Sequence, residues 1–328
     1  MTKFGILGAG RIGKVHAATI ANSSTARVAY VADAMPEAAA SLAQTVGAEV
    51  RSVDEVIASD VDAILIATPT DTHADLIEQA ARAGKAILCE KPVSMSVERI
   101  EACLPVVEQA GVPLMIGFNR RFDPNFASLQ QRVSRGEIGD VEIVTITSRD
   151  PAPPPVSYIE RSGGLYRDMM IHDFDMARFL LGEEPVSVSA HASVLVDKKI
   201  GEAGDYDSVS VILETASGRQ ALISNSRRAT YGYDQRIEVH GSKGMVAAEN
   251  QRPVSIEVAS EKGYTRPPLH DFFMTRYIEA YANEIAAFIA ALGDQKKASP
   301  SGADGLAALK LADAALKSAR TGKAVVIQ

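Results

Sequence analysis

The feature that most restricts the fold of this chain is its opening, KFGILGAGRIGKVHAATIA over residues 3–21. An apolar run passes through Gly8, Ala9, Gly10, Arg11, Ile12 and Gly13 into a segment that carries Val15, Ala18 and Ile20 on a helical period. Three glycines in the order G-x-G-x-x-G, between a strand and a helix, specify a dinucleotide-binding turn. Gly8 permits the tight turn, Gly10 removes the side chain that would block a pyrophosphate, and Gly13 allows helix and strand to pack closely. The phosphates then lie against the backbone of Arg11 and Ile12, at the positive end of the helix dipole. The next apolar strand, ARVAYVAD, ends in Asp33, 20 residues beyond Gly13. An acid at that offset accepts the adenosine ribose hydroxyls. Ala34, Met35 and Pro36 follow with no arginine to neutralise a 2′-phosphate, so the expected cofactor is NAD rather than NADP.

Helix-period and strand-like segments go on alternating: helix 37–46, short strand 48–51, helix 53–59, strand 61–68, helix 71–83, strand 85–91, helix 96–110 and strand 113–118. That alternation predicts a doubly wound parallel sheet, with ligands beyond the carboxyl ends of its strands. Two strand ends therefore matter. Thr68-Pro69 follows the fourth strand, with His73 in the first turn of the next helix, and Glu90-Lys91-Pro92 closes the fifth. A lysine there presents an ammonium to the crevice, where a positive charge favours a developing alkoxide.

Beyond about Asn119 the period changes. Segments 141–149, 186–196, 206–215, 219–226, 235–241 and 253–259 alternate apolar and polar residues, as half-buried strands in an antiparallel sheet do. Among them lies GGLYRDMMIHDFDMARFLLG, 163–182, whose Met170, Phe174, Ala177 and Leu181 make one helical stripe. Read as a single helix, it places Asp168, His172 and Asp175 on another face. A carboxylate one turn before an imidazole holds the ring in one tautomer and stabilises its charged form, as acid/base work near neutral pH requires. Two long helical patterns, 271–292 and 303–320, finish the chain and read as packing elements. The expected organisation is α/β: a nucleotide-binding Rossmann domain over 1–118, then an α+β domain over 119–328 with a large open, mostly antiparallel sheet.

Composition excludes other classes. With 328 residues and 46% hydrophobic content, the chain can bury two cores. A formal charge of -7 without a long basic cluster argues against nucleic acid. No run of about 18 apolar residues and no signal pattern is present, so the expectation is a soluble cytoplasmic protein with no membrane partner. Cys89 and Cys103 offer no disulfide framework, and the histidines outside His172 and His73 lack partners at ligand spacing, so no metal is expected.

The glycine turn, Glu90-Lys91-Pro92, GFNRRFDP at 117–124 and Asp168-x-x-x-His172, in that order, resemble the glucose–fructose oxidoreductase / inositol dehydrogenase / rhizopine-catabolism family over essentially the whole length. Within it, 148–155, 163–185 and 232–245 are most similar to the inositol-oxidising members. The resemblance implies NAD-dependent oxidation of a cyclitol secondary hydroxyl to a ketone, with myo-inositol the foremost small-molecule polyol substrate, in a homotetramer. It implies Lys91, Asp168 and His172 as the catalytic trio and Arg121, Asp150, Asp175 and Tyr233 as substrate contacts. It also implies that one sheet face packs on the helix bearing His172 while the other meets a neighbouring subunit. An aldose dehydrogenase, an NAD-dependent glycoside hydrolase and a non-catalytic NAD sensor share the fold, and net NADH production separates the dehydrogenases from the last two.

Overall fold

A computed structural model describes residues 1–292 and 298–327. They divide into two compact units, Met1–Asp123 with Ile278–Leu309, and Pro124–Tyr277 with the residues from Lys310 onward. In the first unit, β1 (Thr2–Leu7), β2 (Ala26–Ala32), β3 (Glu49–Val50), β4 (Ala63–Ile66), β5 (Ala86–Cys89) and β6 (Leu114–Ile116) form one sheet. Helices α1 (Arg11–Ala21), α2 (Pro36–Val46), α3 (Val53–Ala58), α4 (His73–Arg82) and α5 (Val97–Ala110) connect the strands. The order is β3-β2-β1-β4-β5-β6, with every pairing parallel. Strands covered on both faces must be apolar throughout, and AILI of β4 and AILC of β5 are buried at every position. Strand order reverses direction between β1 and β4, which is where ligands of such sheets bind.

The second unit opens with α6 (Pro124–Ser134) and β7 (Val141–Arg149), followed by α7 (Val156–Ser162), α8 (Gly164–Asp168) and α9 (Ile171–Leu181). Then come β8 (Pro185–Ser193), α10 (Lys198–Glu202), β9 (Ser208–Thr215), β10 (Gln220–Ser226), β11 (Asp234–Gly241), β12 (Gly244–Ala248), β13 (Val258–Ser260), β14 (Gly263–Thr265) and α11 (Phe273–Arg276). Its main sheet runs β12-β11-β7-β10-β9-β8 and ends on β15 (Val325–Val326). All pairings are antiparallel except β7 with β10. Alternation is clear in β9, where Val209, Val211 and Leu213 are buried while Ser210, Ile212 and Glu214 are exposed. The covered face receives α9 on β7 and β10. The open face carries Ile143, Ile212 and Leu222 among polar residues.

Three sequence expectations are corrected here. The segment 163–182 is two helices, not one. The Leu165 carbonyl accepts from the N–H of both Met169 and Met170, a local widening of the helical ladder, after which α9 restarts at Ile171. Asp168 therefore ends one helix and His172 lies in the first turn of the next. The helix expected over 271–292 is likewise interrupted at Tyr277, whose backbone leaves the helical region at φ -113°, ψ 23° while its ring is buried. Of the strand expected at 253–259 only β13 forms, paired with β14 in a small exposed ribbon. The hairpin partner of β11 is instead β12, an edge strand whose largely exposed residues carry little alternation.

After α11 the chain supplies α12 (Ile278–Ala291) to the first unit, where the ring of Phe288 lies 5.9 Å from that of Phe4. The last helix, α13 (Gly302–Thr321), contains the division between the units. Cys89 and Cys103 are buried free thiols, and burial pushes Cys103 up to about 11, so both behave as small apolar side chains. Phe174 of α9 is wholly buried. Replacing it by Ala should cost about 3–5 kcal/mol in urea unfolding, the usual loss for a core aromatic, and a midpoint near wild type would contradict the packing of α9 described above.

Candidate active site

At the carboxyl edge of the parallel sheet, each glycine of the turn meets a different constraint. Gly8 has φ +105°, and a Cβ on it would lie 2.4 Å from the Ala67 carbonyl oxygen, so both conformation and space demand glycine. A Cβ on Gly13 would fall 2.0 Å from the Gly8 carbonyl oxygen. A Cβ on Gly10 would meet nothing within 4 Å, and the Gly10 backbone is ordinary extended chain. Space kept open at the start of α1, where no side chain caps the helix, suits the pyrophosphate of a dinucleotide. The Asp33 carboxylate is held by two backbone donors, Ala9 N–H at 2.6 Å to Oδ2 and Met35 N–H at 2.8 Å to Oδ1. A carboxylate accepts about four hydrogen bonds, so its remaining lone pairs are available to ribose hydroxyls.

The neighbouring strand ends are tied to each other. His73 is buried, with Nδ1 2.8 Å from the Pro92 carbonyl and Nε2 2.8 Å from the Thr68 carbonyl. Burial lowers the ring's pKa, against the pull of those carbonyls and of Glu90. The ring latches the loop after β4 to the loop after β5; although expected among the cofactor contacts, it is committed to the backbone. Thr68 Oγ1 pairs with Thr72 Oγ1 at 2.7 Å. Glu90, expected beside the cofactor, turns inward: its Oε1 lies 2.7 Å from His16 Nε2, and a Cβ on Gly117 would sit 3.1 Å from its carboxyl group. His16, which local spacing leaves without a partner, finds one 74 residues away and packs edge-on against Tyr281 of α12. Lys91 follows, half-buried, at the strand end. Arg121, expected as a substrate contact, is mostly buried and paired with Asp304 at 3.0 Å. Burial would raise that acid, but Arg121 and the Ser301 hydrogen bonds outweigh it and bring Asp304 down to about 2.

The same unit holds an acid that the sequence reading missed. Glu284 of α12 is wholly buried, with no hydrogen-bond partner for either carboxyl oxygen among the described residues. Burial first, and then the charge of Glu90, push its pKa well above the ordinary carboxyl range, which favours the protonated acid.

In the second unit, Asp168 Oδ1 accepts the Tyr158 hydroxyl at 2.8 Å, and Oδ2 lies 3.6 Å from Arg227 Nη1. His172, in the first turn of α9, is partly exposed. Its neighbour Asp173 is buried and locks the helix to the sheet: Ser148 Oγ donates to Oδ1 at 2.5 Å and Asn225 Nδ2 to Oδ2 at 2.7 Å. Asp175 is buried on the same helix. Asp150 follows β7, its N–H donating to the Ser226 carbonyl. Tyr233 packs edge-on against Phe272 and Tyr277 at 5.8 and 6.0 Å. Asp173 and Arg227 were not singled out from the sequence. The available signal for Asp173 was a second acid inside an apolar helical stripe, and for Arg227 there was none. Among the described residues, no group of three or more His, Cys, Asp or Glu side chains is arranged to hold a metal ion.

Residues 2–118 match the model for the oxidoreductase family with an NAD-binding Rossmann fold, and 126–247 match the GFO/IDH/MocA C-terminal domain. The chain belongs to the GFO/IDH/MocA oxidoreductase family. It is 68% identical over 317 residues to an inositol 2-dehydrogenase of Rhizobium meliloti strain 1021, covering 96% of each chain. Among solved structures it resembles a myo-inositol dehydrogenase from Corynebacterium glutamicum at a TM-score of 0.96 and 44% identity, covering 100% of this chain and 99% of that one. A scyllo-inositol dehydrogenase from Lactobacillus casei, with bound NAD(H) and scyllo-inositol, superposes at 0.92 with 29% identity over 99% of each chain. Like other members of the GFO/IDH/MocA family, then, this chain is an NAD-dependent oxidoreductase.

Two predictions follow from the first unit. Gly10→Ala should keep the thermal midpoint of wild type yet weaken NAD by about tenfold or more in calorimetric titration, whereas Gly13→Ala should lose about 1–3 kcal/mol of stability from overpacking. Glu284 keeps its proton in the folded chain at pH values where the unfolded chain has released it. Its contribution is therefore complete below the ordinary carboxyl range and is lost as pH rises toward the elevated native value. Glu284→Gln removes that titration, so its melting temperature relative to wild type should climb as pH rises above the ordinary carboxyl range; a constant difference would mean that Glu284 is ionised in the fold.

Proposed function

We propose that this protein oxidises a secondary ring hydroxyl of an inositol to the ketone, foremost myo-inositol to 2-keto-myo-inositol (scyllo-inosose), with NAD as the acceptor. The observation that carries this reading is identity of 68% with an inositol 2-dehydrogenase over nearly the whole of both chains, joined to a glycine turn whose open side fits a dinucleotide. Bound NAD supplies the two-electron hydride acceptor. The chain's residues do the rest. Backbone N–H groups of Arg11, Ile12 and Gly13 receive the pyrophosphate, and Asp33 receives the ribose. His172 takes the hydroxyl proton as the carbinol carbon gives up its hydride. Asp168 orients the imidazole and stabilises it once protonated, and Lys91 favours the alkoxide by charge and hydrogen bonding. Asp150, Asp175, Tyr233 and Arg121 are the proposed contacts for the remaining hydroxyls, Arg121 from within its ion pair with Asp304.

The reading extends to a homotetramer working in the cytoplasm. No helix among the described residues is long and apolar enough to cross a membrane. The open sheet face, with Ile143, Ile212 and Leu222, is the surface assigned to subunit contact.

The test is absorbance at the NADH wavelength with NAD and a panel of myo-, scyllo- and chiro-inositol, glucose and xylose. Myo-inositol should give the strongest signal, and His172→Ala should lower the rate by about 10²–10⁴-fold while leaving NAD binding intact. Turnover confined to the aldoses would overturn the substrate. Silence with every polyol from a protein that binds NAD would overturn the reaction.

A further inference from the structure

Arg227, directly after β10, has the largest fully buried side chain among the described residues. Its guanidinium lies between two carboxylates: Nη1 is 3.6 Å from Asp168 Oδ2 and Nη2 is 3.6 Å from Asp205 Oδ2. Among the described residues, neither Nε nor Nη2 finds a hydrogen-bond partner. Charge-assisted N–H···O bonds close to about 2.7–2.9 Å, so the guanidinium acts on both acids chiefly through its charge. A guanidinium does not give up its proton, and a buried cation persists only beside compensating anions.

The two acids belong to opposite ends of one short helix. Both oxygens of Asp205 accept the Leu165 N–H at 3.0 Å, and a Cβ on Gly164 would lie 2.6 Å from Asp205 Oδ1, so Asp205 sets the start of α8. Asp168 is its last residue. Arg227 is itself fixed, its N–H donating to the Asp207 carbonyl at 2.9 Å. The charged and titratable groups that meet Asp168 and Arg227 come from several elements: Tyr158 of α7 and Arg227 after β10 on Asp168, and Asp205 from the loop after α10 on Arg227, with the neighbouring Tyr206 edge-on to Tyr166 of α8. Arg167 is occupied elsewhere, by Asp313 of α13 at 2.6 Å. The Asp207 carboxylate is taken up by the backbone N–H groups of Leu195, Val196 and Asp197.

We propose that Arg227 is a positioning residue for proton transfer: held between Asp168 and Asp205, its guanidinium fixes the Asp168 carboxylate for His172 and adds a cation to the field at that ring, while Asp205 offsets part of that charge. The inference rests on the reading of Asp168 and His172 as the proton-transfer pair. Its consequence has a sign. Removing a nearby cation favours protonated neighbours, and removing a nearby anion disfavours them. Arg227→Met and Asp205→Asn should therefore shift the same titration in opposite directions, which a packing role for either residue would not do.

The experiment uses the full-length protein with NAD present and follows the His172 ring proton by NMR against pH, the resonance being assigned by its loss in His172→Asn. Relative to wild type, Arg227→Met should titrate about one pH unit higher, Asp205→Asn lower, and Arg227→Lys close to wild type. The acid limb of kcat/KM should move with each. Should Arg227→Met fail to fold, the downward movement in Asp205→Asn and the rescue by lysine remain as the test. Titrations that stay put, or move the same way in Asp205→Asn and Arg227→Met, overturn the proposal. Opposed movements in a protein that yields no NADH from any inositol support the charge clamp and instead overturn the dehydrogenase reading.

Discussion

The close approach of α1 to β1 is the contact on which the nucleotide-binding unit depends. Gly13 lies so near the Gly8 carbonyl that no side chain fits, and Gly8 lies nearly as close to the Ala67 carbonyl. These two contacts seat the first helix and the fourth strand against the first strand, leaving the Gly10 side of the turn open. From that arrangement come the orientation of the α1 N-terminus, the anchoring of Asp33 by Ala9, and the placing of the β4 and β5 loops that His73 ties together. The cofactor surface is in this sense a by-product of tight packing. Glycine is required where backbones touch, whereas at Gly10 nothing in the fold itself demands it.

The interior also carries ionisable groups, and three of them are accommodated differently. Asp173 is paired with Ser148 and Asn225 and so ties α9 to two strands of its sheet. Glu284 has no hydrogen-bond partner among the described residues, and its burial favours the protonated form. Arg227 cannot discharge, and it is tolerated because two carboxylates flank it. The three solutions follow from chemistry: an acid can be hydrogen-bonded or neutralised, whereas a guanidinium must be matched by charge. The neutral acid faces the field of Glu90, the residue before Lys91, and the flanked cation sits beside Asp168. In each unit, buried charge has gathered next to a candidate for the chemistry.

Much of this was legible in the sequence, for identifiable reasons. The parallel sheet was readable because its strands are continuous apolar runs, the glycine turn because its spacing is local, and the main antiparallel strands because each alternates. Asp168 and His172 were legible as a pair four residues apart, but the helix expected to join them was not there. Leu165 accepts from both Met169 and Met170, a backbone choice made by the surrounding packing and left unmarked by any glycine or proline at the break. The edge strand β12 escaped notice because it is exposed along most of its length and so carries little alternation. Nothing local marks a partner for His16, because Glu90 is 74 residues away.

By itself, the sequence determined everything that follows from local stereochemistry and hydropathic period: two folding units of different class, a glycine turn between strand and helix, an acid at the end of the second strand, and an aspartate and a histidine four residues apart. Only the tertiary structure decided which charges meet. It set Arg227 between Asp168 and Asp205, Glu90 against His16, Asp304 against Arg121, and left Glu284 without a partner. The reason is range. Period and turn chemistry act over a few residues and are written in order along the chain, whereas the energy of a buried charge depends on neighbours brought together from distant segments, and no local pattern records who they will be.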